Sequence, residues 1–83
     1  MKFIASVDIM PHKELLDPQG KATMLGLKNL EIQGVDDVRI GKHIALTLEA
    51  ASEEEANAMV DTACKRLLSN PIMESYDFKL EEV

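Results

Sequence analysis

The chain has 83 residues, 46% of them hydrophobic and 29% charged, with a formal net charge of -6. That length makes one domain, spanning 1–83, whose core is small enough for burial against a partner to add noticeably to stability. The negative charge excludes phosphate backbones and anionic lipid as natural partners, and no apolar run approaches the ~18 residues of a membrane-spanning helix.

The N-terminal MKFIASVDIM alternates instead of forming an apolar run before a cleavage site, and the lone Cys64 cannot close an internal disulfide. Both point to a cytoplasmic protein. In residues 2–10, Phe3, Ala5, Val7 and Ile9 share one face and Lys2, Ser6 and Asp8 the other, the period of a half-buried strand. Residues 11–16 read as a loop. Asp17 followed by Pro18 is a helix start: the carboxylate accepts orphan backbone donors, and proline at the first helical position lacks a donor that would go unpaired. This helix is predicted to run to Leu30 or Ile32, with Gly34 marking the exit.

Residues 35–40 and 43–49 are predicted strands, joined by Gly41 and Lys42 as a two-residue hairpin loop. Ser52 and Glu55 form a capping-box pattern that opens a second helix, with Glu53, Glu54 and Glu55 at its positive end and Lys65 and Arg66 at its negative end. Asn70 and Pro71 stop it, and Tyr76, Phe78 and Leu80 alternate with Asp77, Lys79 and Glu81 in a last strand. The order β-α-β-β-α-β predicts an α+β two-layer sandwich of ferredoxin-like pattern. Its sheet is antiparallel, both helices lie on one face, and each β-α-β half is right-handed.

The two helices differ. On the second, Ala56, Met59, Val60, Ala63, Cys64, Leu67 and Leu68 gather on one arc, as one sheet-facing side requires. On the first, Ala22, Leu25, Gly26 and Leu30 make the sheet-facing stripe, while Met24 and Leu27 form a second apolar patch at i, i+3 spacing. That patch is either loose surface or a protein contact.

Catalytic patterns are sparse. There are no paired cysteines, no His-x-x-x-His and no acidic loop at calcium spacing, so no metal site is expected. Residues 20–23, GKAT, match only the end of a phosphate-binding loop, without its opening glycine. Cys64 falls on the apolar arc, where a thiol is shielded, and His12 and His43 read as surface residues. The three aromatic side chains face the core, so no stacking platform for single-stranded nucleic acid is expected. Polar residues remain at the junctions between elements: Asp17 and Gln19 at the first helix, Arg39 and Lys42 at the predicted hairpin, Asn70 and Glu74 at the last link. Each has a local role as cap, turn or solvated charge. Their functional reading is docking, with Arg39 and Lys42 facing carboxylates across an interface.

Three stretches, LDPQGKA at 16–22, VRIGK at 38–42 and LLSNPIMESY at 67–76, together resemble the PurS family over nearly the whole chain. That family is the small, non-catalytic subunit of phosphoribosylformylglycinamidine synthase, an ATP-dependent, glutamine-using ligase that forms an amidine in purine biosynthesis. The resemblance implies a homodimer or tetramer that helps a synthetase subunit of PurL type and a glutaminase subunit of PurQ type to associate and pass ammonia. It implies no cofactor on this chain, with ATP and magnesium on the synthetase, and it carries over no catalytic residue. Candidate contacts are Asp17, Gln19, Gly20, Met24, Leu27, Arg39, Lys42, Asn70 and Glu74. Where a Leu-Gly pair commonly follows the family's first helix, this chain has Leu30-Glu31, which leaves the helix exit open. The alternative is a dimeric ferredoxin-like module that senses an amino acid or nucleotide at its interface. An acylphosphatase-like hydrolase is disfavoured, because the segment after the first strand holds no arginine.

Overall fold

The computed structural model describes residues 1–13 and 15–83. Its elements are β1 (Lys2–Pro11), α1 (Pro18–Asn29), β2 (Lys42–Glu49), α2 (Glu53–Ala63), a π-helical turn (Cys64–Leu68) that continues α2, and β3 (Glu74–Glu82). The loop predicted for 11–16 includes position 14, outside the described residues; Pro11 itself belongs to β1, paired with Glu74.

β1 is the central strand, antiparallel to β2 on one side and to β3 on the other. Its alternation becomes three-residue rows across the sheet: Ala5 lies between Leu46 and Leu80, and Val7 between Ile44 and Phe78. α2 covers this face, and Ala56, Val60 and Cys64 meet Phe3, Ala5, Val7 and Ile9 in a buried core. Each large side chain buried there contributes roughly 1.5–3 kcal/mol. The capping box forms as predicted: the Glu55 N–H donates to Ser52 Oγ at 3.2 Å.

The α+β class, the two layers and the antiparallel sheet agree with the sequence reading, and a central β1 between antiparallel neighbours is the ferredoxin-like arrangement. Two particulars differ. Residues 35–40 form no strand, and Gly41 and Lys42 form no hairpin: Lys42 begins β2. A primed two-residue turn demands positive φ, and Gly34 is the only glycine that has it among the described residues. Gly41 serves another purpose. A side chain there would collide with Met10 Sδ and the Ile9 carbonyl oxygen, so its missing Cβ lets the chain join the sheet against the end of β1. The segment therefore runs out from the sheet beside α1, and among the described residues the outer edge of β2 carries no fourth strand.

The second correction concerns α1, which does not lie on the sheet face; α2 alone covers it. Gly20 is the only buried residue of α1. Of the stripe predicted to face the sheet, Ala22 and Gly26 are exposed, as are Leu25 (61%) and Leu30 (72%). Met24 and Leu27 are half-buried and, with Ile32 and Val35 of the returning segment, line a hollow of about 690 Å³. Helix and returning segment form an arm that draws the molecule out to 51 × 27 × 15 Å. Its radius of gyration is 16.4 Å, against roughly 12 Å for a compact domain of this length.

The helix exit left open by Leu30-Glu31 is resolved. The Ile32 N–H donates to the Leu27 carbonyl at 3.0 Å and the Glu31 N–H to the Lys28 carbonyl at 2.9 Å, the paired bonds of a Schellman motif. Glu31 has φ of 62°, the left-handed position that this motif ordinarily gives to glycine. At the end of α2 the π turn adds a residue to the helical repeat and so rotates the side chains at its end. Leu68 packs on the core, and Leu67, predicted to face the sheet, is 81% exposed.

Candidate interaction surface at the arm and its root

The arm is joined to the sheet by a small set of polar contacts, centred on Asp17. As N-cap of α1, Asp17 has extended backbone angles and its Oδ1 accepts the Gly20 N–H at 3.0 Å. Its second oxygen, Oδ2, accepts the N–H of Ile40 at 2.9 Å, from the segment that returns toward the sheet. One carboxylate thus holds both sides of the arm. The Gly20 and then the Ile40 N–H hold its acidity below the usual carboxylate range, since both donors favour the ionised form.

Two further contacts close the root. Arg39 donates from Nη2 to the Pro11 carbonyl at the end of β1. The backbone at Gly20 comes so near residue 38 that a Cβ would collide with the Val38 carbonyl oxygen. Asp17 and Gly20 from one stretch of sequence and Arg39 from another are therefore neighbours. Gln19 is exposed, and its carbonyl accepts the Thr23 hydroxyl at 3.0 Å.

Lys42, Asn70 and Glu74 form a second group. Glu74 accepts the Asn70 N–H at Oε1 (2.9 Å), and its Oε2 lies 3.7 Å from Lys42 Nζ. Asn70 Oδ1 accepts the Ile72 N–H at 3.1 Å, which folds the turn before β3. Leu15 and Leu16 stand between the two groups. They border a hollow of about 360 Å³ that reaches Lys13, Lys21 and Arg39, and another of about 270 Å³ that reaches Met73 and Asn70.

Reading the sequence by period places Leu30, exposed at the arm's tip, on the sheet-facing stripe, and does not single out Ile32 beside it or Leu15 and Leu16 at the root, all of which carry exposed apolar surface. Their signal is local: leucine and isoleucine flanking a helix end without a strand or helix to bury them. A contact within the body was also unforeseen. The Tyr76 hydroxyl donates to Asp61 Oδ1, and Lys65 Nζ lies 3.0 Å from Asp61 Oδ2. This bond pushes the phenol up to about 12 and, with Lys65, holds the Asp61 carboxyl low.

The titratable groups elsewhere are dispersed. Cys64 is buried, and burial first, then Asp61, raises its thiol, which disfavours the thiolate. His43 Nδ1 lies 2.6 Å from Asp8 Oδ1 on the open face of the sheet, and His12 Nε2 is 3.4 Å from the Pro71 carbonyl. Among the described residues no three of His, Cys, Asp and Glu are grouped to hold a metal ion, and no helix is long and apolar enough to cross a membrane. What the geometry offers chemically is recognition: apolar side chains on a projecting arm, with charge gathered at its base.

Comparison with known proteins fits that picture. The family model PurS, described as phosphoribosylformylglycinamidine (FGAM) synthase, matches residues 4–82. The phosphoribosylformylglycinamidine synthase subunit PurS of Synechocystis sp. is 48% identical over 66 residues, 80% of this chain and 66% of that protein. The Bacillus subtilis subunit PurS is 39% identical over 71 residues, 86% of this chain and 83% of its own. Among solved structures, a chain of PurLQS from Thermotoga maritima superposes with a TM-score of 0.89 at 31% identity, covering 98% of this chain and 99% of that one. With its arm, its sheet and its sequence all matched along the same span, the chain belongs to the PurS family of FGAM synthase subunits.

Proposed function

We infer that this chain is the small subunit of FGAM synthase that helps the glutaminase and the ATP-dependent synthetase to assemble, so that ammonia passes from one to the other. It works as a homo-oligomer. The observation that carries the reading is the arm: a helix and a returning segment, firmly rooted, in which Gly20 is the one fully buried residue. Accessible surface totals 6167 Å². That is about 1,200 Å² more than a compact monomer of this size exposes, on the scale of one side of a stable interface or more.

Residues 35–41 join no ladder, and among the described residues the outer edge of β2 has no neighbour, so a second copy of the chain suits the arm. The hetero-partners are a PurL-type synthetase and a PurQ-type glutaminase, by likeness to the T. maritima PurLQS assembly. ATP and magnesium belong on the synthetase, and the complex belongs in the cytoplasm. Family membership favours this reading over a small-molecule sensing module.

The test is to compare glutamine-driven with ammonia-driven amidation by the synthetase and glutaminase, with and without this chain. Dependence of the glutamine-driven reaction alone on the chain is the expected result. Equal rates with and without it in both reactions would sink the assembly role.

A further inference from the structure

The geometry points to Asp17 as a positioning residue: its second carboxylate oxygen latches Ile40 and thereby fixes the direction of the arm relative to the sheet. The inference rests on the subunit reading for its functional consequence, though the latch itself does not. α1 packs no face on the sheet that could orient it, and Gly20 alone of its residues is fully buried. Direction must come from the root, where four contacts converge. Asp17 binds Gly20 and Ile40, Arg39 binds the Pro11 carbonyl, and Gly20 admits the Val38 carbonyl. Among the described residues, Asp17 is the one side chain that hydrogen-bonds both the outgoing helix and the returning segment, each through a different oxygen.

This division of labour makes the latch separable from the helix cap. Asparagine caps helices about as well as aspartate, but it has one acceptor oxygen and an NH₂ group. Asp17→Asn therefore keeps the bond to Gly20 and sets a donor against the Ile40 N–H, or the reverse. Gly20→Ala attacks the same root from the other side. It raises helix propensity while its new Cβ pushes the Val38 carbonyl away. A role confined to helix stability predicts little change for Asp17→Asn and a gain for Gly20→Ala. A latch predicts the same sign for both.

The arm's direction matters because a docking surface misplaced by even 1 Å can cost large factors in a reaction that depends on alignment. Spin labels at Gln33→Cys near the arm's tip and Asn57→Cys on the outer face of α2, both exposed positions, report that direction in the full chain. Dilution with unlabelled chain removes distances between copies, and Cys64 is buried from the reagent. The expected result is one narrow distance distribution for the otherwise unaltered chain, and broadened or displaced distributions for Asp17→Asn and for Gly20→Ala, with helix content by circular dichroism preserved in both.

In the assembled synthase, the ratio of glutamine-driven to ammonia-driven rate is expected to fall about tenfold in either variant. The double variant should be little worse than each alone, since both open one root. Distributions unchanged in both width and position in the two variants overturn the latch. A broadened distribution with an unchanged rate ratio overturns the positioning role. If the unaltered chain does not support glutamine-driven amidation at all, the subunit reading fails, and the label distances still decide whether Asp17 directs the arm.

Discussion

The sheet with α2 and the arm with α1 are held by different forces. In the body, Phe3, Val7, Ile9, Val60 and Cys64 are fully buried, and hydrogen-bonded strands align their rows. In the arm, order comes from an N-cap, a Schellman motif and polar contacts at the root. Packing fixes the first region within a single chain. The second has local geometry and leaves its apolar side chains outside, as surface that a partner can bury.

Substitutions should divide along this line. The largest effect belongs to the body: Ile9→Ala removes a fully buried side chain and is expected to cost about 2–5 kcal/mol in denaturant unfolding. A loss under about 1 kcal/mol would mean that the core repacks easily and that the contrast between regions is weaker than the burial implies. Next comes the arm's exit. Glu31→Gly relieves a left-handed residue and should stabilise the arm by about 1 kcal/mol, seen as slower hydrogen exchange of the last turn of α1. No gain in protection would show that the conformation carries no strain.

Smaller still is a pH effect within the body. The Tyr76 phenol is raised to about 12, so its contribution is whole below the ordinary value of 10 and is lost as pH rises from there through about 12. The Asp61 carboxyl is lowered, so its contribution is whole above 3.8 and is lost as pH falls through its depressed value. Stability curves of the parent and of Tyr76→Phe should therefore converge toward about pH 12. Parallel curves between pH 10 and about 12 would mean that the Tyr76 to Asp61 bond is absent in solution. The smallest effect on folding is expected from Leu25→Ala and Leu30→Ala, within about 0.5 kcal/mol, because both side chains are exposed. Their effect should appear in self-association by analytical ultracentrifugation. A drop in single-chain stability above about 1 kcal/mol would place them in an intramolecular contact instead.

The body is largely legible in the sequence. Alternation in β1, β2 and β3 and the capping box at Ser52 are consequences of local period and local hydrogen bonding, and they stand as read. The segment 35–40 departs from its reading because the predicted strand is tied to a hairpin at Gly41 and Lys42 that does not form, and local sequence says nothing of whether a sheet edge lies within reach. α1 offers apolar residues on two sides, so its sequence does not say which side is covered or by what. The π turn has no sequence signature of this kind, and Leu67 departs from its predicted place with it. Among the junction residues, type is legible and relation is not. Asp17 and Arg39 are far apart in sequence, and only the folded backbone shows that both bear on the same root.

The 51 Å length of this small chain has a hydrodynamic consequence. An elongated particle experiences more friction than a compact one of equal mass, so a single chain would leave a sizing column early, at the volume of a larger globular protein. If two copies wrap their arms together, the pair becomes rounder for its mass, and its elution volume would differ from that of the monomer by less than the doubling implies. Light scattering, which weighs the particle independently of shape, would therefore report the doubling in full.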